Sequence, residues 1–181
     1  METPAFLCRP QPLTTRAIPG GLYTFLARGS QTQQRFALAV IRIQAGAEPP
    51  AHCHVREDET FYLQRGRVRF RVGDNTLEAR PGDCVYLPKG VPHAFEVTTP
   101  DAEMLIWISP AGFDEWLWTN SAPAPDGQAL PLPQGPPPPE VIAEFVRTLA
   151  DYGVELLPPG APLGRQPTPA TELLPHQAGR G

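Results

Sequence analysis

Proline limits what this chain can become more than any other residue. It fills 25 of the 181 positions, about 14% against a usual ~5%. With φ fixed and no N–H to donate, it breaks helices and is confined in sheets to edges and turns. This much proline therefore argues against an all-helical protein. Ten prolines fall in residues 1–109, mostly singly and at turn-like positions; fifteen fall in residues 110–181, including the run Pro136-Pro137-Pro138-Pro139 and the pair Pro158-Pro159. The expected organisation is an N-terminal arm over 1–19, a β domain over 20–110, a helical extension over 111–157 and a disordered tail over 158–181. Within the extension, residues 121–139 read as an extended, partly polyproline-II connector.

The middle of the chain carries strand periodicity. In Arg67-Val68-Arg69-Phe70-Arg71-Val72 an arginine alternates with an apolar residue, the pattern of a strand with one buried and one wet face. Gly73-Asp74-Asn75 then turns the chain into Thr76-Leu77-Glu78-Ala79 as a hairpin. Further strands are expected over 22–27, 36–43, 60–64, 83–87, 94–97 and 104–108, with an all-β sandwich or barrel as the result. Helical signal is confined to the C-terminal third. Ser109-Pro110 reads as an N-cap and N1 proline opening a short helix through Phe113, Trp116 and Leu117. Residues 140–151 place Val141, Ile142, Phe145, Val146 and Leu149 on one stripe, suited to docking on the barrel or on a neighbouring subunit.

Fifteen basic and nineteen acidic side chains leave a net charge of −4, which argues against nucleic-acid binding. No apolar run approaches the ~20 residues that span a bilayer, and no basic-then-apolar leader opens the chain. Three cysteines, Cys8, Cys53 and Cys84, are an odd set rather than a disulfide framework, so a cytoplasmic location is expected.

Three of the four histidines lie in two short segments, Gly46 to Gly66 and Gly82 to His93. His52 and His54, two apart on an extended segment, point to one face. Glu59 opens the next strand and can add a carboxylate oxygen, while His93, beyond the Pro88-Lys89-Gly90 turn, can approach from another strand. Three imidazoles and one carboxylate suit a divalent first-row transition metal with positions left for water or substrate. The competing reading is a pair of surface histidines and an unrelated third, which leaves the glycines and prolines at fixed offsets unexplained. Cys53 points away from the face shared by its neighbours, so Cys53 and Cys84 read as buried and inert. Glu57 and Asp58 read as a solvated turn, the alternative being acids that support the ligands. Phe70, Tyr62, Phe95 and Trp107 either line a pocket or fill the core. His176 is given no role.

These motifs resemble those of the cupin superfamily. Gly46, His52, His54, Glu59 and Gly66 fit its first signature, and Gly82, Pro88, Gly90 and His93 fit its second, with Val97 in place of a final asparagine that is not a ligand. Under a shorter spacing Asp58 replaces Glu59, but the six residues between Glu59 and Gly66 favour Glu59. The resemblance spans about residues 20–110 and implies a jelly-roll β-barrel with short C-terminal helices. It also implies one divalent ion per subunit (Fe, Mn, Ni, Co, Cu or Zn) held by His52, His54, Glu59 and His93. Arg56-Glu57-Asp58-Glu59-Thr60-Phe61-Tyr62, Pro110-Ala111-Gly112-Phe113 and Tyr152-Gly153-Val154-Glu155 resemble single-domain members grouped with quercetin dioxygenases. That likeness implies a metal-dependent dioxygenase acting on a flavonol or other enolic small molecule, with Glu59 as the catalytic base. A metal-dependent isomerase or decarboxylase, or a non-catalytic small-ligand binder, are the alternatives. The expected partners are a small-molecule substrate, dioxygen and a second copy in a homodimer that covers strand edges.

Overall fold

The computed structural model describes residues 5–132, 135 and 138–164. After a 3₁₀ turn at Pro12–Thr14 come β1 (Thr15–Ile18), β2 (Gly21–Ala27), the single-turn helix α1 (Gly29–Thr32) and β3 (Ala37–Gln44). The central strands are β4 (His52–His54), β5 (Asp58–Arg65), β6 (Val68–Val72), β7 (Asn75–Ala79), β8 (Cys84–Leu87), β9 (His93–Val97) and β10 (Asp101–Ser109). Helix α2 (Phe113–Thr119), β11 (Ala122–Pro123), α3 (Pro139–Asp151) and β12 (Val154–Leu156) complete the chain.

Two sheets result, one in the order β11-β1-β2-β3-β10-β5-β8 and the other β12-β4-β9-β6-β7. All registered neighbours are antiparallel. The fold is all-β and of the jelly-roll kind, flattened into two facing sheets rather than closed into one cylinder. Alternation along each strand sends Phe61 and Leu63 of β5, Met104, Ile106 and Ile108 of β10, and Val68, Phe70 and Val72 of β6 into one core. Phe61 meets Phe70 and Phe95 of the opposite sheet at ring separations of 5.4 and 5.9 Å.

The same alternation corrects two pocket candidates. With Phe61 and Ile106 facing in, Tyr62 and Trp107 must face out, and they are 43% and 42% exposed. Phe70 is buried and Phe95 half-buried, as core side chains.

Two helices form where the sequence places them, α2 without the expected cap and α3 with less of its stripe covered, and a third is additional. A short helix, α1, lies outside the C-terminal third; its Gly-Ser-Gln-Thr sequence has no apolar stripe to announce it. Ser109-Pro110 is a cis peptide and does not cap α2, which begins at Phe113. Asp114 instead supplies the acceptors, Oδ1 for the Gly112 N–H and Oδ2 for the Gly29 N–H, both at 3.0 Å. Helix α3 buries Leu149, while Val141, Ile142, Phe145 and Val146 remain exposed, because only its C-terminal half reaches the sandwich. There Phe145 sets its ring against Trp116 at 4.9 Å, and the Trp116 indole N–H donates to Thr148 Oγ1 at 3.2 Å.

In the connector, β11 pairs with β1 and Ala124 is buried. Residues 133, 134, 136 and 137 lie outside the described residues, as do 1–4, the 165–181 part of the expected tail and His176. Leu163, also within the expected tail, is buried. No helix among the described residues is long and apolar enough to cross a membrane.

Phe70, 1% exposed and touching the Phe61 ring across the core and the Phe95 ring beside it in the same sheet, is expected to lose about 3–5 kcal/mol of stability as Phe70→Ala. Urea unfolding checks this, and a loss below about 1 kcal/mol would contradict the packing described.

Candidate metal centre

Strand β4 is only three residues long and is held from several sides. His52 registers with His93 of β9, and His54 with Val154 of β12. At its far end the Gly90 N–H donates to the His54 carbonyl at 2.7 Å, from a turn in which Gly90 has φ +75°. Ahead of β4, Glu48 accepts from the Val97 N–H at 2.7 Å and the Gly46 N–H at 2.8 Å, pinning the entering loop to β9. Val97, which departs from the second signature, is thereby a backbone anchor. Gly66 permits a close crossing, since a Cβ there would lie 2.5 Å from the Asp101 carbonyl oxygen.

Period two turns His52 and His54 inward together, and Val55 outward to solvent. Glu59 arrives from the opposite sheet, on β5 between Ile108 and Leu87. The structure therefore brings together all four residues singled out, three from one sheet and one from the other. His52, His54, Glu59 and His93 are 8%, 1%, 4% and 1% exposed, and one donor atom from each lies within 4.8 Å of all the others.

Hydrogen bonding fixes which nitrogens face the centre. His52 Nδ1 lies 2.8 Å from the Pro50 carbonyl and His93 Nδ1 lies 3.0 Å from that of Val91. A carbonyl only accepts, so each Nδ1 carries a proton and Nε2 is the ring nitrogen turned inward for ligation. Those two Nε2 atoms are 3.2 Å apart. Glu59 Oε2 is 3.2 Å from His93 Nε2, and its Oε1 is 3.6 Å from His54 Nε2. His54 Nε2 is buried without a hydrogen-bond partner. Lone pairs thus converge in a buried space, and a divalent cation there would satisfy them all. The donor set fits a first-row transition metal.

Electrostatics agree with that reading. Burial and the neighbouring His93 push His52 down to about 4, so it stays neutral. Burial opposes the charged form of Glu59, but the imidazoles of His54, His93 and His52 outweigh it and draw the carboxyl down to about 2. Burial also lowers His54, yet the carboxylates of Glu59 and Glu57 raise it overall. Burial and then Glu155 push the Cys53 thiol up, which suits an inert thiol. Cys84 is exposed, contrary to the buried reading, because it sits on the outward face of β8.

Glu57 is the second correction. Expected on a solvated turn, it is 2% exposed, with Oε2 3.6 Å from His54 Nδ1. The signal lay in parity: residues 57, 59, 61 and 63 are all buried, so Glu57 continues the inward face of β5 by one step. Asp58 has the opposite parity and accepts from the Lys89 N–H at 2.8 Å, outside the cluster. Phe113 was likewise missed as a site residue; its ring stands edge-on to His54 at 4.7 Å.

Residues 39–109 match the family described as the cupin domain. The chain is 30% identical over 111 residues to quercetin 2,3-dioxygenase of Aspergillus japonicus, covering 57% of this chain and 29% of that protein. It is 28% identical over 95 residues to an uncharacterized protein of Streptomyces coelicolor, covering 52% of this chain and 86% of the other. The solved structure of a predicted oxalate decarboxylase from Thermotoga maritima superposes with a TM-score of 0.52 at 22% identity, over 58% of this chain and 99% of that one. This last likeness is one of fold. The match spans less than a third of the dioxygenase's length.

A His52→Ala, His54→Ala double variant is expected to stay folded and to lose the divalent metal carried by the parent, read by elemental analysis alongside circular dichroism. A full stoichiometric load in the variant would remove both residues from the site.

Proposed function

The chain belongs to the cupin superfamily through the domain at residues 39–109, and from that premise we propose that it is a metal-dependent dioxygenase, cleaving a flavonol or another enolic small molecule. The observation that carries the metal reading is the buried meeting of acceptor atoms, with two bare Nε2 atoms 3.2 Å apart beside the Glu59 carboxylate. The finer reading, dioxygenase, draws its support from the likeness to the quercetin dioxygenase, over 57% of this chain, and from the motifs around Arg56–Tyr62. His52, His54, Glu59 and His93 would hold one divalent ion of Fe, Mn, Ni, Co, Cu or Zn, which when bound offers open positions to dioxygen and substrate.

The chain's own residues have defined tasks. Glu59 accepts the substrate's hydroxyl proton at a carboxylate oxygen. Its neighbours favour its charged form, so it would serve an acidic enolic hydroxyl better than an ordinary alcohol. His52, the most accessible of the four, marks the side from which a substrate approaches. The Phe113 ring, edge-on to His54, gives the site an apolar neighbour, which strengthens the charge interactions beside it.

Oxygen uptake by the metal-loaded protein with a panel of flavonols and other enols tests the proposal. Consumption is expected with an acidic enol, and Glu59→Gln is expected to reduce it by at least 10²-fold. Metal-dependent turnover without oxygen would replace the dioxygenase by an isomerase or decarboxylase; metal binding with no turnover across the panel would leave a binding protein.

We further propose a cytoplasmic homodimer. Three free cysteines favour a reducing compartment, and exposed Tyr62 and Trp107 on the outer sheet face, with the apolar stripe of α3, favour a second copy. Sedimentation is expected to give twice 19.8 kDa; a mass near the single-chain value would oppose it.

A further inference from the structure

Resting on the metal reading above, we propose that Glu57 is a positioning residue that holds the Nδ1–H of His54 and so aims its Nε2 at the metal. His52 and His93 each have a backbone carbonyl for this purpose, at 2.8 and 3.0 Å. His54 has none. Its Nδ1 is buried with no hydrogen-bond partner, and so is Glu57 Oε2. The two atoms face each other at 3.6 Å, beyond hydrogen-bond length but with nothing else to satisfy either.

Two orphaned buried groups of complementary kind, one a donor and one an anionic acceptor, have a strong drive to close that gap. A shift of a few tenths of an ångström in the His54 ring suffices. The surroundings favour this pairing over a solvent-facing carboxylate. Glu57 is nine-tenths or more buried, the Gly112 backbone passes so near that a Cβ there would lie 3.1 Å from Glu57 Oε1, and Phe113 covers the His54 ring edge-on at 4.7 Å.

The consequence is an asymmetric ligand set. His52 and His93 are oriented by neutral carbonyls, whereas His54 is oriented by a carboxylate, which raises the donor strength of its Nε2 above that of the other two. It also fixes the tautomer in which Nε2 is bare. Neither Glu57 nor this role belongs to the Gly46–Gly66 motif, whose acidic member is Glu59.

The test uses zinc as the probe. Zinc affinity is measured by competition with a chelating dye for the parent, Glu57→Gln and Glu57→Ala, together with ¹⁵N shifts of the His54 ring in the metal-free parent at alkaline pH. Glu57→Ala is expected to weaken zinc binding 10–100-fold; Glu57→Gln, which keeps the shape and an acceptor oxygen but not the charge, is expected to recover part of that loss. The parent's His54 is expected to carry its proton on Nδ1. Affinities of both variants within twofold of the parent, or a His54 proton on Nε2, would overturn the role of Glu57. If neither variant folds, the ring nitrogens of the parent decide alone. A parent that binds no zinc would instead overturn the metal reading, while the ring shifts still report on the Glu57–His54 pair.

Discussion

Lone pairs pointed at lone pairs govern this structure. His52 and His93 each commit their Nδ1 proton to a backbone carbonyl, so their Nε2 lone pairs meet at 3.2 Å beside the Glu59 carboxylate. Buried acceptors in that arrangement repel one another, and the repulsion is strong at low dielectric. The fold holds them there because each is fixed from behind by backbone bonds and sheet register, so relaxing the cluster would break ordinary secondary structure. A cation between them turns a local strain into a local bond. Three ligands come from one sheet and the fourth from the other, so a bound ion would also tie the two sheets together, and metal occupancy would add directly to fold stability.

Much of this was legible in the sequence. Arginine alternation over β6, the hairpin at Gly73 and the inward parity of His52 and His54 are local patterns, and local periodicity is what sequence reading detects. The four ligand candidates were visible because each sits at a fixed offset from a turn glycine. β1, β11 and β12 were not visible, since they are two to four residues long and owe their strand form to partners far along the chain, as in Arg16 with Pro123. Glu57 was missed for another reason. Charged residues are mostly exposed, and only the continuation of β5 parity one residue before the strand begins argued otherwise.

The C-terminal region contributes to the site more than its composition suggests. β4 has a single registered pair with β9, His52 with His93, which is thin support for a ligand-bearing strand. β12 supplies three registered pairs on its other edge. The Gly153 carbonyl accepts from the Val55 N–H at 2.9 Å, and the Asp151 carbonyl accepts from Arg56 at 3.0 Å. Phe113 of α2 covers His54, and Trp116 carries the contact on to Phe145 of α3. The two motifs supply the donor atoms; α2, α3 and β12 supply much of the rigidity that aims them.

That rigidity bears on the chemistry proposed. A carboxylate whose charged form is favoured by its neighbours is a weak base, and a cation held beside it would make it weaker. If Glu59 takes the substrate's proton as proposed, an acidic hydroxyl such as the enolic hydroxyl of a conjugated ring would serve it better than an aliphatic alcohol. On that proposal, reactivity should follow the acidity of the transferred proton among compounds of equal size.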